Sequence, residues 1–320
     1  MTQKIFSRIA GMGMSVPENV VTNHDLEKIV DTNDEWIRTR TGMSERHIVK
    51  EEDRSSCMTS DLGLHASEEA IKKAGIDKNE IDLIICATFS PDYIFPSTAC
   101  VIQHKLDLNE KCAAFDVQAA CAGFIHGLSI ADNFIKSGMY KTVLLVGAEV
   151  VSKTLDWTDR DTCVLFGDGA GAALLRASDE SGVMSTNLGA DGSFGSSLYL
   201  PVWDKPFMKM TGSDIYKKAV RCMSEALLKA AADAEVEPSD IDLIVPHQAN
   251  IRIMQAVAKR LGAPWEKVMC NIHKYGNTSS ATIPIALYEA EKEGKIKSGS
   301  LVGLTAFGGG LAWGAGIIKW

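Results

Sequence analysis

Residues 81–85 read Ile-Asp-Leu-Ile-Ile and residues 241–245 read Ile-Asp-Leu-Ile-Val, an offset of 160 in a chain of 320 residues. Residues 135–138 and 296–299 both read Ile-Lys-Ser-Gly, at an offset of 161. Each copy of the tetrapeptide precedes a β-branched and aliphatic run, Thr142–Val146 in one half and Leu301–Leu304 in the other. A helical pattern precedes each pentapeptide: Ala66, Ala70, Ile71 and Ala74 share one face, as do Ala219, Met223, Leu227 and Ala230. Two matches in register, with matching flanks, point to a duplication. A period this long belongs to two similar domains and not to a solenoid. Continuous aliphatic strands that alternate with helices are covered on both faces, so the expected fold is layered α/β. The seam is placed in the polar stretch Arg176-Ala177-Ser178-Asp179-Glu180-Ser181-Gly182, giving halves of 1–180 and 181–320 that pack tightly.

Hydrophobic residues make up 46% of the chain and charged residues 23%, which excludes disorder and fibre. The net charge of −8 argues against a general nucleic-acid binder, so any anionic partner must find a local basic patch. The longest apolar runs, such as Leu83–Ala87 and Val143–Val146, are far too short to cross a bilayer, and no membrane partner is expected. Lys4 and Arg8 before Ile9–Val16 faintly mimic a signal peptide, but Gly11 and Gly13 interrupt the run and a first strand fits better. The eight cysteines are spaced by 29, 14, 12, 9, 42, 59 and 48 residues, with no C-x-x-C pair. That spacing suits neither a disulfide framework nor a metal site, and a cytoplasmic location follows.

The segment Phe115-Asp116-Val117-Gln118-Ala119-Ala120-Cys121-Ala122-Gly123-Phe124 reads as a strand, a tight turn of small residues and a helix. Phe124, Ile125, Leu128, Ala131, Phe134 and Ile135 continue at helical spacing, with Gly138 as the stop. Cys121 then sits at a helix N-terminus, where unpaired N–H groups and the dipole lower a thiol pKa. Burial statistics favour an inert structural cysteine, the reading given to the other seven. Only Cys121 has small neighbours that let a substrate approach.

The strand at 241–245 runs into Pro246-His247-Gln248-Ala249-Asn250, placing His247 just past a strand C-terminus, where α/β proteins bind ligands. His24, His65, His104 and His126 lie in helical or turn patterns with polar neighbours, and His47 and His273 are uninformative. Adding the repeat offset to Cys121 leads to Tyr275-Gly276-Asn277-Thr278-Ser279-Ser280-Ala281, again a glycine turn opening a helix. A pseudo-dyad would bring the two helix N-termini together, so that Cys121, His247 and Asn277 meet. On its own Asn277 reads as a turn or N-cap residue; its place in the set rests on the other two. Ala306-Phe307-Gly308-Gly309-Gly310-Leu311 is either a plain β-turn or a backbone held close to something. One N–H from it, assigned to Gly309, with that of Cys121 would form an oxyanion hole. Gly167-Asp168-Gly169-Ala170-Gly171 leads into a strand and not a helix, so it is not a nucleotide loop.

Together the Ala-Ala-Cys-Ala-Gly-Phe, Val-Pro-His-Gln-Ala-Asn, Gly-Asn-Thr-Ser and Ala-Phe-Gly-Gly-Gly motifs closely resemble β-ketoacyl-acyl-carrier-protein synthase III of type II fatty acid synthesis. The resemblance runs from Asp34-Glu35-Trp36-Ile37 to Trp313-Gly314. It implies the duplicated thiolase fold in a cytoplasmic homodimer and a decarboxylative Claisen condensation. Cys121 would take an acyl group from acyl-CoA, typically acetyl-CoA. Malonyl-acyl-carrier protein would then lose CO₂, and its carbanion would attack the thioester. His247 and Asn277 would donate to the oxygen that gains charge, with no lysine or arginine to hold the reactant carboxylate. No cofactor is implied, since acyl-CoA is a substrate.

The resemblance also implies binding residues. Trp36 and Arg40, following an expected capping box at Thr32-Asn33-Asp34-Glu35, and Arg160 would hold CoA, with Gly212 and Asn250 along the pantetheine path. Phe95 would reach into the partner subunit's acyl pocket, to which Phe307 is also assigned. Arg252 matches the family's docking arginine; with Lys259 and Arg260 it shares one helix face, for those two either an ordinary solvated face or part of a dock for an acidic carrier protein that Lys217, Lys218 and Arg221 extend. Gln118, Arg38, Trp157 and a short loop at 201–206 depart from the commoner family pattern and leave the starter acyl group open. The rival readings are a condensing enzyme of secondary metabolism with another starter, a Cys–His thioester hydrolase, and a non-catalytic thiolase-fold subunit.

Overall fold

The computed structural model describes residues 5–202 and 207–320; of the loop singled out above, 203–206 lie outside the described residues. Two sheets carry the fold. The first contains β1 (Phe6–Ser15), β2 (Leu83–Ala87), β3 (Ala113–Val117), β4 (Thr142–Glu149) and β5 (Gly169–Ser178) in the order β1-β5-β4-β2-β3. The second contains β6 (Val183–Ala190), β7 (Leu243–Pro246), β8 (Leu301–Gly308) and β9 (Ala312–Lys319) in the order β6-β9-β8-β7.

The sheets repeat one plan. β2 and β4 are parallel, while β4, β5 and β1 pair antiparallel in turn. Likewise β7 and β8 are parallel, while β8, β9 and β6 pair antiparallel. The repeated pentapeptides enter the equivalent strands β2 and β7, and the repeated tetrapeptides precede β4 and β8. Where the first sheet adds β3 alongside β2, the second has only an isolated parallel bridge from Ile244 to Val268.

The principal helices are α1 (Asp34–Thr41), α2 (Thr59–Ala74), α3 (Thr98–Lys105), α4 (Gly123–Lys136), α5 (Gly212–Asp233), α6 (Ile251–Leu261) and α7 (Thr282–Lys292). Phe124, Ile125 and Leu128 of α4 and Ile283, Ala286 and Leu287 of α7 share one core with inward residues of both sheets, so these helices form the central layer. Leu62, Ala66 and Ala70 of α2 cover the outer face of the first sheet. Ala226, Leu227 and Ala230 of α5 cover the outer face of the second. Strands β2 and β4 are buried at every position, as runs of aliphatic residues between two helical layers must be.

One local expectation fails. Asn33, not Thr32, caps α1: its side chain accepts from the Trp36 N–H at 2.8 Å, and the Thr32 hydroxyl is buried without a partner. Asn competes for the cap as well as Thr and stands one residue nearer the first turn. No helix among the described residues is long and apolar enough to cross a membrane, and all eight cysteines are free thiols.

Candidate active site

Each central helix is preceded by a single 3₁₀ turn, Ala120–Ala122 before α4 and Ser279–Ala281 before α7. Each turn opens on a residue in the left-handed region, Ala120 at φ 46° and Ser279 at φ 52°, a conformation that costs a non-glycine residue about 1 kcal/mol or more. The pseudo-dyad sets these turns against each other. Ser279 Oγ donates to Cys121 Sγ at 3.3 Å.

The same turn holds the other two candidates. Asn277 Oδ1 accepts from the Ser279 backbone N–H at 2.9 Å, and Thr282 Oγ1 lies 3.0 Å from the Ser279 carbonyl and 2.6 Å from His247 Nδ1. His247 follows the end of β7, where its N–H donates to the Thr305 carbonyl at 2.8 Å. The Asn277 backbone is anchored to the segment before β5, through its N–H to the Leu165 carbonyl and its carbonyl from the Gly167 N–H. Cys121, His247 and Asn277 thus come from three separate stretches and line a single cleft.

Burial sets the resting protonation. It pushes the Cys121 thiol up to about 12, against the Ser279 hydrogen bond, and the Glu149 carboxyl works in the same direction as burial. The lowered thiol expected from the helix N-terminus is therefore not the resting state. The dipole and hydroxyl favour the thiolate, but removal of water outweighs them. Burial also lowers His247 to about 3, so its imidazole is neutral. Thr282 can serve either tautomer: pointed at Nδ1, its proton leaves Nε2–H as a donor; pointed at the Ser279 carbonyl, it leaves Nε2 bare.

Cys121 also lines a second cavity, with Phe89, Phe166, Leu198, Leu200 and Met208 among its apolar walls. The nucleophile candidate therefore stands between two spaces. Gln118, Gly309 and Gly310 border the second. Gly308 is the glycine pressed on the nucleophile, since a Cβ there would lie 2.6 Å from the Cys121 nitrogen. Phe307, assigned to the acyl pocket, lines the cleft of His247 and Asn277 and not the second cavity, and packs with Ile215, Ala219 and Met223 of α5. Strand alternation turns its side chain toward that helix, away from the second cavity.

Of the residues assigned to CoA, Trp36, Arg40 and Arg160 cluster together and Gly212 and Asn250 line the first cleft. The guanidinium groups of Arg40 and Arg160 each lie 5.0 Å from the Trp36 ring. Asn250 lines the cleft, caps α6, and donates to the Arg40 carbonyl at 3.0 Å, which links that cluster to the cleft. Gly212 lines the same cleft. Arg252, Lys259 and Arg260 are exposed along α6, and Arg260 pairs with Glu225 at 3.0 Å. Lys218 does not extend this face; it is tied to Asp191 at 2.6 Å and lies over the Phe194 ring. Phe95 is 85% exposed and lines neither cavity of its own chain. Among the described residues there is no group of three or more His, Cys, Asp or Glu side chains that could hold a metal.

The sequence reading assigned no role to Ser279, Thr282 or Glu149. Glu149, fully buried at the end of β4, accepts from the Thr88, Ser90 and Ser280 hydroxyls. A lone carboxylate closing an otherwise apolar strand, and three hydroxyl residues in a row at Thr278–Ser280, were the available signals.

The chain matches the family model for 3-oxoacyl-[acyl-carrier-protein] synthase III over residues 115–192 and that for its C-terminal part over residues 231–320. It is 48% identical over 330 aligned residues to the β-ketoacyl-[acyl-carrier-protein] synthase III of Xanthomonas campestris, covering 100% of both chains. The crystal structure of 3-oxoacyl-[acyl-carrier-protein] synthase III from Aquifex aeolicus superposes with a TM-score of 0.94 at 49% identity, over 98% of this chain and 100% of that one. The priming β-ketosynthase of a polyketide biosynthetic pathway superposes with a TM-score of 0.94 at 34% identity, over 99% and 97%.

Proposed function

The chain belongs to the 3-oxoacyl-[acyl-carrier-protein] synthase III family of thiolase-fold acyltransferases and is an initiating condensing enzyme of fatty acid synthesis; on that premise we propose that Cys121 passes an acyl group from acyl-CoA to malonyl-acyl-carrier protein. The observation that carries the assignment is the position of Cys121 on the wall between two cavities, with His247 and Asn277 on one of them.

The Cys121 sulfur attacks the thioester carbonyl of acyl-CoA, with acetyl-CoA as the expected starter. The backbone N–H groups of Cys121 and Gly309 receive the oxyanion. The thiol proton leaves on CoA, and the acyl chain occupies the second cavity. Malonyl-carrier protein then presents its pantetheine arm through the first cleft, past Gly212 and Asn250. Loss of CO₂ drives negative charge onto the malonyl thioester oxygen, where Asn277 Nδ2 and His247 Nε2–H donate. The carbanion attacks acyl-Cys121 and expels the thiolate. A neutral imidazole suits this step, because a fixed cation would hold the malonyl carboxylate and stabilise the reactant.

Trp36, Arg40 and Arg160 form the adenine and phosphate seat, and Arg252, Lys259 and Arg260 meet the acidic carrier protein. The exposed Tyr93, Ile94 and Phe95, beside the half-buried edge strand β3, support a homodimer in which Phe95 closes the partner subunit's second cavity. Eight free thiols support a cytoplasmic setting. No cofactor enters the reaction.

Intact-protein mass spectrometry after incubation with acetyl-CoA tests the first half: an acetyl adduct confined to Cys121 is expected. Release of CO₂ from malonyl-carrier protein, with a β-ketoacyl product, tests the second. Free acid formed without CO₂ would show a hydrolase instead. The likeness to a polyketide priming enzyme supports a second reading, with a longer or branched starter, and a panel of acyl-CoAs decides between them.

A further inference from the structure

Ser279 is fully buried and occupies the left-handed region at φ 52°. That conformation directs three polar groups of one residue at three different members of the site. Its N–H goes to Asn277 Oδ1 at 2.9 Å, its carbonyl faces Thr282 Oγ1, the neighbour of His247, and its hydroxyl goes to Cys121 Sγ at 3.3 Å. The first two are backbone contacts that any residue type would keep. The third belongs to the side chain alone. We propose that Ser279 is a further catalytic residue, whose hydroxyl donates to the Cys121 sulfur whenever that atom carries negative charge.

The sulfur carries such charge twice. It does so when it attacks the acyl-CoA carbonyl and again when the condensation expels it from the acyl group. In a buried site a hydroxyl donor is the means of supporting a thiolate without introducing a cation that would also bind the malonyl carboxylate. The titratable groups around the sulfur do not supply that support. Glu149, itself raised by burial, opposes the thiolate, and His247 is neutral. Asn277 is turned to the cleft, and Gly308 offers only backbone. The other turn confirms how particular the arrangement is. By position in the turn the counterpart of Ser279 is Ala120, which has no hydroxyl, and the counterpart of Cys121 is Ser280, which is bound to Glu149.

The proposal rests on Cys121 being the nucleophile, and its test does not need the substrates. Ser279→Ala and Ser279→Gly both remove the hydroxyl, and glycine adopts the left-handed conformation without strain. The rate of Cys121 carbamidomethylation by iodoacetamide is followed by peptide mass spectrometry between about pH 6 and pH 10. Both variants should react about tenfold more slowly near neutrality, with the rate profile displaced to higher pH. Decarboxylation of malonyl-carrier protein without acyl-CoA should fall by a smaller factor than alkylation, since the Ser279 N–H still holds Asn277. Alkylation profiles matching the parent would overturn the proposal. So would equal losses of alkylation and decarboxylation, which mean a merely structural residue. A parent enzyme that takes no acetyl group at Cys121 would instead sink the functional reading, whatever the variants do.

Discussion

The side-chain oxygen of Asn277 accepts the backbone N–H of Ser279 at 2.9 Å. An N–H can only donate, so the oxygen is committed and the Nδ2 amide is left as the donor on the cleft wall. A residue that alone reads as a helix cap thereby presents a hydrogen-bond donor to the cleft.

Asn277→Asp keeps the bond to Ser279 and the shape, but replaces the donor with a second acceptor. Decarboxylation of malonyl-carrier protein should fall by about 10²–10³-fold, while acetyl transfer to Cys121 persists. Stopped-flow acylation set against CO₂ release separates the two steps. Retention of normal condensation by this variant would remove Asn277 from the mechanism.

His247 Nδ1 meets Thr282 Oγ1 at 2.6 Å. Thr282→Val leaves that nitrogen buried and unmatched, at about 1–3 kcal/mol, and should slow decarboxylation about tenfold or more. Thr282→Ser restores the hydroxyl and should recover most of the rate. If serine fails to rescue, the effect is one of packing.

The histidine also carries a pH signature in stability. Its pKa is 6.5 when unfolded and about 3 when folded, so the unfolded chain binds more protons across that interval. Stability should therefore fall as pH drops from about 6.5 toward 3. Asp168, raised to about 6 by burial, acts with the opposite sign, losing stability as pH rises from 3.8 to about 6. His247→Gln should flatten the acid-side loss in melting temperature measured by calorimetry. An unchanged acid limb would mean that the imidazole is hydrated in solution.

Arg40 and Arg160 flank Trp36 at 5.0 Å. Removing either should raise KM for acetyl-CoA about fivefold, an effect of about 1 kcal/mol, with kcat little changed. A truncated acetyl thioester lacking the nucleotide should show no difference between parent and variant. An equal rise for both substrates would place these arginines outside the nucleotide seat.

Much of this architecture could be read beforehand because a duplication writes its register twice. Ile81–Ile85 and Ile241–Val245 lead into equivalent strands, and the offset from Cys121 leads directly to the turn at 279–281. Strand burial left its trace in unbroken aliphatic runs. What stayed hidden depends on direction and solvent. A left-handed serine looks like any serine in a row of hydroxyls, and the height of the Cys121 pKa depends on exclusion of water, which a helix N-terminus does not report. That Phe307 lines the cleft of His247 and Asn277 was hidden too, because the sequence placed it in a loop without saying which face of β8 it occupied. The cap at Asn33 and not Thr32 was a competition between adjacent good caps.

The sulfur's place in a partition has a kinetic meaning. On the proposed function, fatty chain and carrier arm take different volumes on either side of Cys121, so no hinge has to swing between the half-reactions. On that same reading CoA departs through the corridor by which the carrier's arm enters. Accumulating CoA should therefore act as a brake that more carrier protein relieves, tying the first committed step of chain growth to how quickly the cell recharges its thiol pool.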